Sequence, residues 1–313
     1  MQAVLKLIHS QYLQAEPGAA GAPAAPPAAS PARMVSRIAG RTPLVLDSPH
    51  SGTVYPADFR AALDLPVLRR AEDTHVEKLY AFAPGLGVGW VEAHFPRIYL
   101  DANRDTTELD ATLLDAPWPD PVTADPVVLQ KVRLGKGLIR KFPDEGEPIY
   151  DRPLGVDEVR ARIDRCWRPY HAAVAAEIDA AHARHGYSIH INCHSMPAIS
   201  ASHATDFPGL VHADFVVGDR DGTTASPALS ALVCDHLRER GYSVEYNHPY
   251  KGVELVRRYS APAQHRHSIQ LEINRKLYMD EGTLAIHPEG MARLQADLKA
   301  LTEKLLATDP RGG

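Results

Sequence analysis

The stretch INCHSMPA, Ile191–Ala198, closes a run in which Ile189, Ile191 and Cys193 alternate with Ser188, His190, Asn192 and His194. A period of two is the mark of a β-strand with unlike faces, so Tyr187–Cys193 reads as a half-buried strand. Its polar face carries two histidines and an asparagine, which is costly inside a protein unless those groups find partners. Met196-Pro197 then stops the strand and leaves His194 at its mouth. His194 is therefore either a hydrogen-bonded edge histidine or a ligand whose partners lie elsewhere in the chain.

Outward from this strand, strands and helices alternate. Further strand candidates are Pro43–Asp47, Val88–His94, Arg97–Asp101, Asp214–Gly218, Tyr242–Tyr246 and Ser268–Asn274. Helix candidates are Glu72–Phe82, Asp157–His185, Ser226–Arg240 and Pro288–Leu306. Gly186 and Gly241 stand where a helix C′ glycine belongs, and Pro227 and Pro288 stand near first-turn positions. This order predicts a single α/β domain with a mixed, mostly covered sheet over residues 34–313. Ahead of it, PGAAGAPAAPPAASP (Pro17–Pro31) has no periodicity, so residues 1–33 read as a flexible Pro/Ala-rich tail, with room for a short amphipathic helix at its start. The proline-rich, charged stretch Pro117–Pro153 reads as a long connection, a loop or lid over a site.

Composition narrows the function. The 313 residues are 23% charged and 44% hydrophobic with a net charge of −5, an ordinary globular balance that argues against a nucleic-acid partner. No apolar run is long enough to span a membrane, and the first residues lack a secretory pattern. Cys166, Cys193 and Cys234 are odd in number and far apart, which predicts neither disulfides nor a zinc ribbon and suits a reducing cytoplasm. Cys193 and His194 point to opposite faces of their strand, which disfavours a thiol–imidazole pair. Nothing in the chain sets its oligomeric state.

In α/β sheets ligands bind beyond strand ends, so the polar residues after each apolar run are the ones to collect. Ser48-Pro49-His50-Ser51-Gly52 follows LVLD, Asn103-Arg104-Asp105 follows RIYLDA, and His194-Ser195 follows SIHINC. Glu272 lies within SIQLEINR, and Glu72-Asp73-Thr74-His75 opens the first helix. The chemistry that needs this set is metal-assisted hydrolysis: a catalytic zinc takes His/His/carboxylate and keeps one position for water, and a separate carboxylate moves the proton. His50, His194 and Asp73 fit the ligand roles and Glu272 the base. Plainer readings stand beside these: loop histidines that are merely hydrogen-bonded, Asp73 as a helix N-terminal acid, or Glu272 ion-paired with Arg257, Arg258 or Arg275. Zinc has no compact motif here, and cobalt, manganese or iron would accept the same ligands. Arg104, at a strand mouth, and Arg152, in IYDRPLG, suit a small anionic substrate.

A series of segments carries a resemblance: LVLDSPHSGTVYPADF, EDTHVEKLY, PRIYLDANRD, YDRPL, INCHSMPA, VVGDRDGTTASP, NHPYKGVELVRRYSAP and HSIQLEINRKLYMDE, spanning Leu44–Glu281. Together they resemble the N-formylglutamate amidohydrolase (deformylase) family. The resemblance implies a zinc-carboxypeptidase-like fold, a mixed sheet of eight strands between helices. It also implies cleavage of N-formyl-L-glutamate to formate and L-glutamate, the last step of one histidine-degradation route. By the same resemblance His50 and His194 hold one zinc, Glu272 is the base, and Asn103-Arg104, with Arg152 and Lys251, receives the substrate carboxylates. The wider carboxypeptidase group has His-x-x-Glu as its first two ligands, whereas Ser51, Gly52 and Thr53 follow His50 here. The carboxylate must come from elsewhere: Asp73, with Glu72 and His75 as alternatives. The sequence also admits a hydrolase of another N-acyl amino acid or small peptide, with VVGDRDGTTASP as a substrate wall or as a plain turn, and a non-catalytic binding protein.

Overall fold

The computed structural model describes residues 33–143, 146–202 and 206–311, so the predicted tail lies outside the described residues. Its strands are β1 (Val35–Ile38), β2 (Leu44–Ser48), β3 (Gly89–Ala93), β4 (Ser188–Met196), β5 (Phe215–Gly218), β6 (Val244–Tyr246) and β7 (Arg266–Asn274). They form one mixed seven-stranded sheet in the order β1-β3-β2-β4-β7-β5-β6. The expectation of eight strands is corrected to seven. β3, β2, β4 and β7 run parallel, β1 pairs antiparallel to β3 and β5 antiparallel to β7, and β6 runs parallel to β5.

The helices are α1 (Leu65–Leu68), α2 (Val76–Leu79), α3 (Pro126–Arg133), α4 (Val156–Arg162), α5 (Arg168–His185), α6 (Pro227–Glu239), α7 (Glu254–Tyr259) and α8 (Pro288–Leu306). A π-helical turn, Ile163–Trp167, joins α4 to α5, so the predicted long helix is continuous but not uniformly α. Gly186 and Gly241 end α5 and α6 at left-handed φ of 75° and 86°, as their positions predict. α8 buries Met291, Leu294, Leu298, Leu301 and Leu305, a three-and-four spacing that lays one stripe on the sheet. One core cluster joins α2, α6 and α8 to one face of the sheet, and a second joins α4 and α5 to the other.

This sandwiching corrects the reading of β4. Every residue of β4 is buried, the polar face included, because helices cover both sides of the central strands. Arg97–Asp101 is not a strand: Tyr99 and Leu100 donate back to the Pro96 carbonyl in a turn, and Asp101 donates to Leu138. Ile98, Tyr99 and Leu100 are all buried, so the apolar run reflects burial rather than extension. Only Val76–Leu79 of the predicted Glu72–Phe82 is α-helical. The sequence reading leaves out the short β1, α3 and α7, although Asp125-Pro126 is a helix-start pattern that caps α3. The long connection contains α3, and its residue Leu138 accepts from Asp101 and donates to Glu108, which docks it beside the Asp101 turn.

Candidate active site

β2 leads directly into Pro49-His50-Ser51-Gly52, and this turn is held tightly. Ser48 and Ser51 hydroxyls meet at 2.7 Å, and Val54 N–H donates to the His94 carbonyl at 2.8 Å. A Cβ on Gly52 would stand 2.3 Å from the Phe95 carbonyl oxygen, so only glycine allows this approach. Asp73 N–H donates to the His50 carbonyl at 3.0 Å, which ties the two loops together. On the sheet, His194 of β4 lies beside Glu272 of β7 in register.

These connections bring His50, Asp73 and His194 into one buried cluster. His50 Nδ1 lies 3.1 Å from His194 Nδ1, His194 Nδ1 lies 2.9 Å from Asp73 Oδ2, and His50 Nδ1 lies 3.5 Å from the same oxygen. The outward nitrogens are already engaged: His50 Nε2 with Asp101 Oδ1 at 2.7 Å and His194 Nε2 with Asn192 Oδ1 at 2.7 Å. A proton on each Nε2, donated to those oxygens, leaves each Nδ1 a bare lone pair for a cation. Two bare nitrogens and a carboxylate oxygen then face one another at the corners of a small triangle. Ligands about 2.0–2.1 Å from a tetrahedral zinc stand roughly 3.3 Å apart, so the donor set and its spacing fit a divalent cation. Glu72 is occupied by the Tyr55 hydroxyl at 2.7 Å and by Arg69, and His75 Nε2 by the Leu284 carbonyl at 2.9 Å.

Charge around the triangle is balanced. Arg97 reaches Asp101 at 3.1 Å and Asp73 at 3.5 Å, Arg275 reaches Asp73 at 3.3 Å, and Arg140 stands 3.9 Å from Asp101. Burial opposes ionisation of Asp73, but the neighbouring His194 and His50 rings and the field of Arg97 hold its carboxyl well below the usual range. Asp101 is held well below it too, against burial, by His50 and Arg97. Glu272 goes the other way. Burial raises its pKa, the Asp73 charge adds to this, and His194, Arg97 and a 2.8 Å hydrogen bond from Gln270 only partly offset it. A carboxyl shifted upward beside a triad of ligand atoms suits general-base work.

The predicted substrate residues are placed differently from one another. Asn103 is buried; its Oδ1 accepts from Leu255 N–H at 2.9 Å, and its Nδ2 lies 3.3 Å from Gln270 Oε1. Arg104 contacts Glu108 at 3.3 Å. Arg152 grips Glu158 through two 3.0 Å bonds and lines a cavity of about 480 Å³ with Lys141 and Tyr150. Lys251 is exposed and pairs with Asp221 at 2.8 Å. Arg257 and Arg258 pair with Glu254, and Arg275 with Asp73, so none of them reaches Glu272 by an ion pair among the described contacts. Sequence reasoning missed Asp101, Arg97 and Arg140. Asp101 follows an apolar run and carried the expected signal, but it was counted into a strand that is a turn.

The sequence profile of the N-formylglutamate amidohydrolase family matches residues 42–279. The N-formylglutamate deformylase of Pseudomonas aeruginosa is 30% identical over 283 residues, covering 86% of this chain and 94% of that protein. The Pseudomonas putida deformylase is also 30% identical, covering 88% and 96%. The crystal structure of N-formylglutamate amidohydrolase from Ralstonia eutropha JMP134 superposes with a TM-score of 0.83 at 45% identity, over 90% of this chain and 100% of that one. A gene product of Agrobacterium tumefaciens, 20% identical, shares the fold with a TM-score of 0.61.

Proposed function

The chain belongs to the N-formylglutamate amidohydrolase family, and from that premise we propose that it hydrolyses N-formyl-L-glutamate to formate and L-glutamate with one divalent metal, zinc by preference, held by His50, Asp73 and His194. The observation that carries this reading is the meeting of three acceptor atoms within 3.5 Å of one another, an arrangement that repels itself without a cation. When bound, the metal supplies the positive charge that acidifies water and polarises the formyl carbonyl. Glu272 takes the proton of the attacking water and returns it to the glutamate nitrogen as the C–N bond breaks. Arg104 receives one substrate carboxylate beside Asn103, and Arg97 and Arg275 supply the positive field for the other. Arg152 and Lys251 join them by releasing Glu158 and Asp221. The proposal places the enzyme in the cytoplasm, at the formate-releasing step of histidine degradation, and treats residues 34–313 as the catalytic domain. Its three cysteines are free and buried, and among the described residues no helix is long and apolar enough to cross a membrane.

The test is glutamate release from N-formyl-L-glutamate by the protein as purified, after chelation, after zinc is restored, and in Glu272→Gln. Turnover that follows the metal and vanishes in the variant is expected. Metal-dependent cleavage of a different N-acyl amino acid would keep the site and replace the substrate. Metal binding with no turnover on an N-acyl panel would leave a binding protein.

A further inference from the structure

The proton on His194 Nε2 is decided one strand away. β2 pairs with β4 so that Asp47 lies directly beside Asn192. Asp47 Oδ1 accepts from Asn192 Nδ2 and from His190 Nε2, each at 2.9 Å, and its Oδ2 accepts from the Tyr170 hydroxyl at 2.6 Å. Asp47, His190, Asn192 and Tyr170 are all fully buried. Burial opposes the charge on Asp47, but His190, Tyr170 and Asn192 outweigh it and keep the carboxyl below its usual range. An ionised carboxylate only accepts, so the Asn192 amide must turn its NH₂ to Asp47 and its oxygen to His194.

A competitor stands ready on the other side. Asn103 Nδ2 lies 3.1 Å from the same His194 Nε2. An amide N–H donated there would require a bare Nε2 and a proton on Nδ1, the form of the ring that cannot bind a cation on the side facing His50 and Asp73. We propose that Asp47 is a positioning residue for the metal centre, acting through Asn192 to keep the His194 proton on Nε2 and the Nδ1 lone pair open. Asp101 does this for His50 by direct contact at 2.7 Å; Asp47 does it for His194 through one amide relay. The inference rests on the metal reading above.

The experiment measures zinc affinity by chelator competition and the ring-nitrogen NMR signals of His194 in the metal-free protein, for wild type, Asn192→Leu and Asp47→Asn. Loss of an outer partner of a ligating histidine typically weakens metal binding by about 10–100-fold, which is the fall expected for Asn192→Leu. Its His194 proton should move to Nδ1. Asp47→Asn, which allows either amide orientation, should fall by less and show both forms of the ring. Removing the competing donor as well, in Asn103→Leu/Asn192→Leu, should recover part of the affinity, a rescue that a merely structural role does not produce. Wild-type affinity in both single variants overturns the proposal, and so does weakened binding with the proton still on Nε2. If Asn192→Leu does not fold, the isosteric Asp47→Asn carries the same comparison. Failure of the wild-type protein to bind any divalent metal would remove the metal reading itself, and this one with it.

Discussion

Asp73 and Asp219 are both buried loop aspartates, and the protein treats them in opposite ways. Asp219 Oδ1 accepts from Gly222 N–H and Asn247 Nδ2, each at 2.8 Å, and its Oδ2 accepts from the Ser230 and Tyr246 hydroxyls, each at 2.6 Å. Those donors fill the positions around a carboxylate, so Asp219 is complete within the protein. Asp73 Oδ2 instead faces the open nitrogens of two histidines, with Ser195 N–H at 3.3 Å beside it. The stretch VVGDRDGTTASP thus holds Asp219 as a turn anchor that fastens β5 to α6 and to the residues around Tyr246. Burial alone does not separate a structural acid from a ligand; the count of donors against acceptors does.

The sharpest separation should come from Glu272→Gln. Loss of a positioned base typically costs about 10²–10⁴-fold in rate, and kcat should fall by that much while zinc affinity stays near wild type. A variant that keeps its activity would break the assignment of the base. Next in size, Asp219→Ala takes the acceptor from four donors, those of Ser230 and Asn247 buried, and should cost about 3 kcal/mol of stability in urea unfolding, with metal affinity of the folded protein unchanged. Asp73→Ala should do the reverse: zinc binding weaker by at least about 100-fold, more than loss of an outer partner costs, with a smaller stability loss in the metal-free protein, where Arg97 keeps Asp101 and Arg275 keeps Ser195 as partners. Equal stability losses in the two variants would erase the contrast.

The smallest effect is in acid. Burial works against the Asp219 charge, yet Ser230, Tyr246, Asn247 and Gly222 hold its carboxyl below the usual range. The unfolded chain then takes up this proton first as pH falls, so the stabilisation is complete above about pH 4 and is lost as pH drops through the folded-state value. Wild type and Asp219→Asn should therefore differ in stability more at roughly pH 5 than at roughly pH 3. A constant difference would mean that Asp219 is not held ionised.

How far the chain could be read depended on how local each signal was. His50, Asp73 and His194 were legible because each stands in polar sequence next to an apolar run or a helix start, where α/β folds place their ligands. Strand alternation singled out Glu272, which the fold places beside His194. Arg97–Asp101 misled because a buried turn and a strand show the same apolar run. Arg152 and Lys251 read as substrate cations, but in the fold their nearest partners are Glu158 and Asp221.

The residues of the sequence by themselves determined the α/β alternation, the caps at Gly186 and Gly241, and the inventory of groups able to bind a metal or move a proton. Only the tertiary structure decided which acid meets the two histidines, that both faces of β4 are covered, and that Asp101 and Asn192 meet the Nε2 atoms of those histidines. The physical reason is range. Propensity and periodicity act over a few neighbours along the chain, whereas a hydrogen bond between Asp47 and Asn192 joins residues 145 positions apart and exists only once β2 and β4 lie side by side.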